Sequence, residues 1–296
     1  MNIYTLGINM AMMKYTDTHV GVTMFMVPVL VSILRGYVKR YIDEYNTQAG
    51  ECDICEIIKT DNKYVIEMSV GGGFWAYYQG VMSYIHQTYD LSECILVGYS
   101  AGVIPATSFR RKDPIELMPA FRKFCKVIDG KLTKMLWNWV RESSAVTREF
   151  INKDDNINVL NKDTFYYGVA EYVPSWKTGM RLQTRYLSNF KTVDALVRGQ
   201  SSAYTIPFIT WFGLYTKVNN RYFIDDGLIS KRTECTAINK TTGDPLVKTK
   251  IWPTKWRKQP LTDYFLTGDA DTIDRLYWLG YNDAKKNRSD INLPLK

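Results

Sequence analysis

Along residues 63 to 109 the alternation of apolar and polar positions changes character twice, each time at glycine. Lys63 to Val70 (KYVIEMSV) alternates with a period of two, which predicts a strand. Gly71, Gly72 and Gly73 follow, and Phe74 to Tyr89, dense in aromatic and aliphatic residues, predicts a helix. The sequence then repeats the motion. Glu93 to Val97 (ECILV) is a short, continuously apolar run of the buried-strand kind. It leads into Gly98, Tyr99, Ser100, Ala101 and Gly102, and a helix is predicted from there through Phe109. The chain thus contains two successive strand–glycine turn–helix units.

Further along, Asp113-Pro114 predicts a helix start, because aspartate caps exposed N–H groups and proline suits the first helical position; this helix is expected to run through Val127. Phe165 to Val173 and Met180 to Leu187 read as strands, and Thr192 to Arg198 as a helix. Arg221 to Asp225 (RYFID) is a strand pattern that ends at Asp226 and Gly227. The Met and aromatic residues of Leu117 to Trp139 suit core packing or an acyl-binding wall. Asp269 to Lys296 carries a short amphipathic pattern and a polar tail, with no activity assigned to it.

Upstream, Val20 to Leu34 is a nearly uncharged apolar run followed by Arg35, Lys39 and Arg40. It is shorter than the roughly 20 residues of a spanning helix and contains Pro28, so a buried element and a tilted membrane anchor both remain open. An anchor would place its basic C-terminal flank on the cytoplasmic side. No basic n-region or cleavage site marks a signal peptide. Residues 41 to 62, with six acidic side chains among them, read as a polar connector. The expected organisation is therefore an N-terminal apolar segment and connector over 1–62, a main domain over 63–232, and a basic, aromatic C-terminal segment over 233–296.

Composition narrows this picture. The 296 residues are 46% hydrophobic and 23% charged, an ordinary globular mixture without low-complexity tracts. Lys and Arg (38) exceed Asp and Glu (30), and the net charge of +8 favours anionic surfaces, whether phospholipid headgroups or nucleic acid. Lys248, Lys250, Trp252, Lys255, Trp256, Arg257 and Lys258 form a basic-aromatic stretch suited to an anionic lipid surface, to single-stranded nucleic acid, or to solvent alone. Five scattered cysteines read as free thiols of a reducing compartment. Cys52 and Cys55 form a CxxC, but no second pair follows and His19 and His86 are the only histidines, so a closed zinc site lacks ligands. The pair reads as incidental, with a thioredoxin-like redox motif as the lesser reading.

The two glycine turns carry the candidate chemistry. Three successive glycines allow backbone N–H groups to approach an anion at a helix start. That anion is a dinucleotide pyrophosphate, since Gly71, Gly73 and Ala76 fit GxGxxG/A, or the oxyanion of acyl transfer. The second turn weighs towards acyl transfer: Gly98-x-Ser100-x-Gly102 between a strand and a helix has the context of a nucleophile elbow, where small residues flank a strained, exposed serine. A tight structural turn with a helix-capping serine is the plain alternative. His19 and His86 both precede Ser100, so the usual order with histidine last is unavailable, and a carboxylate is the better candidate base. Asp226, where a strand gives way to a flexible turn, is placed to serve.

Taken together, GGGFWAYYQGV (Gly71 to Val81), VGYSAGVIPA (Val97 to Ala106), SSAYTIPF (Ser201 to Phe208) and YFIDDG (Tyr222 to Gly227) resemble the patatin-like phospholipases, especially the branch of adipose triglyceride lipase and adiponutrin, over roughly residues 63 to 232. The resemblance implies a three-layer α/β/α fold with a central, mostly parallel sheet and a Ser-Asp dyad. Ser100 would be the nucleophile, Asp226 the base, and the backbone of Gly71, Gly72 and Gly73 the oxyanion hole, with Gly98 and Gly102 framing the elbow. Ala76 stands where the family has a glycine, Trp75 where plant and bacterial members often have a basic residue, and Leu228 where DGG or DGA ends. Asp225 supplies a second carboxylate.

The expected function is hydrolysis of fatty-acyl esters through an acyl-enzyme, by an intracellular lipid hydrolase that needs no cofactor or metal. Its expected partners are a lipid substrate and a membrane or lipid-droplet surface, not nucleic acid. The competing readings are a catalytically inactive lipid-surface scaffold of the same fold and, further behind, a dinucleotide-binding oxidoreductase.

Overall fold

The computed structural model describes residues 51–106, 109, 114–128, 144–148, 164–206, 215–228, 235–260 and 269–296. By its contacts the chain divides into two units, Met1–Thr47 with Pro174–Arg181, and Gln48–Val173 with Leu182–Lys296. Within the first, the described part is the turn of a hairpin, where Gly179 takes a φ of +78° and Trp176 is exposed. The rest of this section concerns the second unit. The apolar run Val20 to Leu34, and His19 before it, lie outside the described residues.

In chain order the elements are β1 (Asp53–Cys55), β2 (Ile58–Thr60), β3 (Tyr64–Met68), α1 (Trp75–Thr88), β4 (Cys94–Tyr99), α2 (Val103–Ala106) and α3 (Met118–Ile128). There follow β5 (Phe165–Ser175), β6 (Gly179–Ser188), α4 (Val193–Ser202), β7 (Thr216–Val218), β8 (Arg221–Asp225), β9 (Ala237–Asn239), β10 (Val247–Ile251) and α5 (Ala270–Lys286). The expected strands and helices are present with small shifts at their ends. Thr192 caps α4, its side chain accepting from the Ala195 N–H, and the helix runs on to Ser202. Pro114 opens a 3-10 turn to Leu117 ahead of α3, while Asp113 lies outside the described residues.

The protein is mixed α/β, with a central, mostly parallel sheet flanked by helices. The strand order is β1-β6-β5-β4-β3-β10, with β8 pairing β5 and β7 pairing β8. β10, β3, β4 and β5 run parallel. Two segments depart from the expected organisation. Residues 53–55 of the supposed connector form the edge strand β1, antiparallel to β6, and Ile58 of β2 is fully buried. The C-terminal segment is equally part of this unit, since β10 extends the parallel sheet beside β3. β1 and β2 are only three residues long, and β10 carries Lys248, Thr249 and Lys250 between its two apolar ends, which is why they read as connector and tail.

Alternation along the strands sorts the core into two clusters. Ile66, Met68 and Leu96 face one side with Phe74, Trp75 and Tyr77 of the first helical unit and Ile273, Leu276 and Tyr277 of α5. Val65, Ile95 and Val97 face the other with Ile58, Ala237 and Leu246. Among the described residues that second face is covered by the small parallel sheet β2–β9, and no helical residue belongs to its cluster. The expected second helical layer is therefore not found among the described residues.

α1 and α5 cross at very close range because each presents a glycine. A Cβ on Gly80 would lie 1.8 Å from the Tyr277 carbonyl oxygen, and one on Gly280 would lie 2.0 Å from that of Tyr77. Next to the crossing, buried Asp283 accepts from the Tyr77 hydroxyl at 3.1 Å and pairs with Arg257. The resulting clamp ties α1, α5 and the segment after β10 together.

Candidate active site

Strand register builds the site. β3 pairs with β4 through Met68 and Gly98, so both glycine turns leave the sheet at the same edge. β4 pairs with β5 as far as Tyr99 opposite Gly168, and the next residue of β5, Val169, pairs with Asp225 at the end of antiparallel β8. β4 arriving from one direction and β8 from the other therefore end at the same level of β5. Ser100 is the residue after one end, and Asp225 the last residue of the other.

Side chains complete this convergence. The Ser100 hydroxyl donates to Asp225 Oδ2 at 2.7 Å, and the Gly227 N–H donates to Asp225 Oδ1 at 2.8 Å. Ser100 takes a φ of +50°, in the left-handed region that costs a side-chain-bearing residue energy and that marks a nucleophile elbow. The flanking glycines make the turn possible sterically. A Cβ on Gly98 would lie 2.3 Å from the Gly102 carbonyl oxygen, and one on Gly102 would lie 2.4 Å from that of Met68. The helix after the elbow is shorter than expected, with described residues helical only to Ala106.

The carboxylate expected to meet Ser100 was that of Asp226, and this is corrected by one residue. Asp226 is fully buried, but its Oδ1 accepts from the Thr184 hydroxyl of β6 at 2.7 Å. Consecutive residues at a strand end project to opposite sides, so of the pair only one can face Ser100. The signal was present in the sequence: alternation within RYFID puts Tyr222 and Ile224 on one side and Phe223 and Asp225 on the other, but without the β5 register nothing says which side holds Ser100.

The electrostatics suit a base. Burial pushes the Asp225 carboxyl up to about 7, with the Ser100 and Gly227 hydrogen bonds pulling the other way and the neighbouring Asp226 charge adding a smaller push. A carboxylate with a pKa near 7 is matched to proton transfer at neutral pH, where an ordinary one is too weak.

The first glycine turn adjoins the second. Gly72–Phe74 forms a 3-10 turn in contact with Ser100–Gly102, with Gly72 at a φ of +52°. Val70, just before it, and the acid both crowd Gly227, where a Cβ would lie 3.0 Å from Val70 Cγ1 and 3.0 Å from Asp225 Oδ1. The structure thus brings Gly71, Gly72, Gly73, Gly98, Ser100, Gly102 and Asp225 to one place and leaves Asp226 directed away from the serine.

Other candidates find different places. His86 sits in the last turn of α1, about 16 Å along the helix from its start beside the glycine turn. Cys52 and Cys55 are not joined by a disulfide; burial pushes the Cys52 thiol up to about 12, the reverse of the activated thiol of a redox motif. The basic-aromatic stretch is largely engaged within the protein. Lys248 and Lys250 pair with buried Glu67, Arg257 with Asp283, and the Trp256 indole N–H donates to Asp290 at 2.9 Å. Lys255 sits over the rings of Trp252 and Trp256 and donates to the Lys250 carbonyl at 2.8 Å, and burial lowers its pKa. These charges are spent on holding β10 and the following segment against the core. Among the described residues no helix is long and apolar enough to cross a membrane.

The chain matches no family model and no curated protein.

Proposed function

We propose that this protein is a serine acyl-ester hydrolase of patatin-like type acting on lipid esters, with Ser100 as nucleophile and Asp225 as base. The observation that carries the proposal is the 2.7 Å hydrogen bond from a positive-φ elbow serine to a buried carboxyl whose pKa burial has raised to about 7. The resemblance of four ordered motifs supplies the lipid substrate class; the glycine turn beside the elbow supplies a place for the oxyanion.

In this mechanism Asp225 Oδ2 takes the proton of Ser100 Oγ as Oγ bonds to the acyl carbon. The carbonyl oxygen becomes an oxyanion facing the Gly71–Gly73 backbone, where each N–H donor is worth roughly 3 kcal/mol. Collapse of the tetrahedral adduct breaks the ester C–O bond, and Asp225 gives its proton to the leaving alcohol. Water then attacks the acyl-enzyme while losing a proton to Asp225. Expulsion of the fatty acid returns that proton to Ser100. One carboxyl serves as base and acid in turn, which requires a pKa near the working pH.

The test is labelling of the full chain by a fluorophosphonate probe with peptide mapping, in buffer, detergent and lipid. Labelling at Ser100 that vanishes in Ser100→Ala and falls in Asp225→Asn supports the reading. A folded wild-type protein that takes no label in any medium sinks it and favours a non-catalytic scaffold. Release of fatty acid from phospholipid or acylglycerol then tests the substrate class.

A further inference from the structure

α1 returns a side chain to the glycine turn that precedes it. Tyr78, one turn into the helix, is fully buried, and its hydroxyl donates to the Ser69 carbonyl at 2.7 Å with the Val70 carbonyl at 3.3 Å. Its ring lies against Gly71, where an added Cβ would come within 2.7 Å of Tyr78 Cε2. The phenol therefore closes a loop running from the end of β3, through Gly71, Gly72 and Gly73, into α1.

The consequence follows from peptide geometry. A carbonyl and the N–H of the next residue belong to one planar, trans unit and point in opposite directions. Holding the Val70 carbonyl therefore sets the direction of the Gly71 N–H, and holding the Ser69 carbonyl sets that of Val70. Glycine by itself supplies no such restraint, because its backbone samples many conformations. A glycine turn that must keep donors aimed needs a rigid neighbour, and a buried aromatic ring with one polar end is well suited. Other contacts complete the frame: the Ser69 N–H donates to the Ile251 carbonyl at 2.9 Å, and the Phe74 N–H donates to that of Gly71 at 3.0 Å.

We infer that Tyr78 is a positioning residue for the oxyanion donors, holding the Ser69–Gly71 peptide planes so that the Gly71 N–H faces the acyl oxygen at Ser100. The inference rests on the acyl-hydrolase reading. It concerns the transition state specifically: a ground-state ester gains little from the donors, whereas the developing oxyanion depends on them.

The experiment compares wild-type with Tyr78→Phe, which keeps the ring and removes the hydroxyl, on a soluble short-chain ester and with a trifluoromethyl ketone that forms a tetrahedral adduct on serine. The expected result is a ten- to hundredfold fall in kcat, a KM within about twofold of wild-type, and a ketone inhibition constant raised by the same factor as kcat falls. Unchanged kcat and ketone affinity in folded Tyr78→Phe overturn the inference, as does a loss confined to KM. Should Tyr78→Phe fail to fold, the same readings are taken on Gly71→Ala, whose methyl pushes the ring off the two carbonyls, and an unchanged kcat there overturns it equally. A folded wild-type protein that neither hydrolyses ester nor takes the fluorophosphonate overturns the hydrolase reading itself, a failure distinguishable from an active wild-type with an indifferent Tyr78→Phe.

Discussion

Asp225 and Asp226 are adjacent in the chain and both buried, yet their carboxyls serve different partners, Ser100 at 2.7 Å for the first and Thr184 at 2.7 Å for the second. The division has consequences for the site and for the stability of the fold.

Neutralising the two carboxyls should have unequal effects. Asp225→Asn is expected to slow fluorophosphonate labelling of Ser100 about a hundredfold or more, the usual scale for a lost general base. Asp226→Asn should stay within about tenfold of wild-type on that same scale. Labelling rates measured on both variants at pH 8 check the order, and the reverse order would return the base to Asp226.

The pH dependence follows from the same group. Asp225 must be ionised to accept the serine proton, so labelling should rise through about pH 7 and level off above it. Because the Asp226 charge pushes the Asp225 pKa upward, Asp226→Asn should move that limb to lower pH. A rate–pH profile from 5 to 9 on the two proteins tests both statements.

Burying Asp225 also costs stability once it ionises. Its folded pKa of about 7 lies above the ordinary 3.8, so the folded state holds the proton more tightly and loses stability as pH rises between these values. The full difference is on the order of 4 kcal/mol. Asp225→Asn, which can still accept from Ser100, should therefore be more stable than wild-type at pH 8 by a few kcal/mol on this scale and should lose that advantage by pH 4. Urea unfolding at the two pH values measures it.

A second buried pair sits between β5 and β6. Arg185 donates to fully buried Glu171 at 2.7 Å, with Arg221 at 3.6 Å from the other oxygen. Arg185→Met leaves that carboxylate with a more distant partner and should cost about 3–5 kcal/mol at neutral pH. Burial already raises the Glu171 pKa, so protonation comes early and the cost should shrink towards pH 5. Denaturant unfolding of the variant at both pH values decides this.

Gly80→Ala tests the helix crossing. A methyl 1.8 Å from a backbone oxygen cannot be relieved by a rotamer change, so the variant should lose about 3 kcal/mol or more, or fail to fold. Far-UV circular dichroism and thermal unfolding give the answer.

How much of this was legible in advance varies with the range of the interaction. The strand–glycine–helix units, the elbow serine and the capped start of α4 are local patterns, set by side-chain period, turn chemistry and caps within a few residues, and the sequence displays them directly. β1 and β10 were not legible as strands of the central sheet, nor β2 as a strand of the small one, because these strands are short and their partners lie far along the chain, such as Tyr186 beside Cys55 and Tyr64 beside Val247. The basic-aromatic stretch shows the same limit from the other direction. Its composition suggests a surface ligand, while Glu67, Asp283 and Asp290, which take up its charges and its indole, are separated from it in sequence.

Local pattern in the chain was enough to place a serine on a glycine-flanked turn between a strand and a helix and to favour a carboxylate over a histidine as its candidate partner. Which carboxylate meets Ser100 emerges from the folded chain alone, where Asp225 accepts the serine hydroxyl at 2.7 Å. That choice depends on the register of β8 against β5, where a shift of one residue exchanges the faces of every side chain, and on burial, which raises the Asp225 pKa to a useful value. Both are properties of strands brought together from distant parts of the chain.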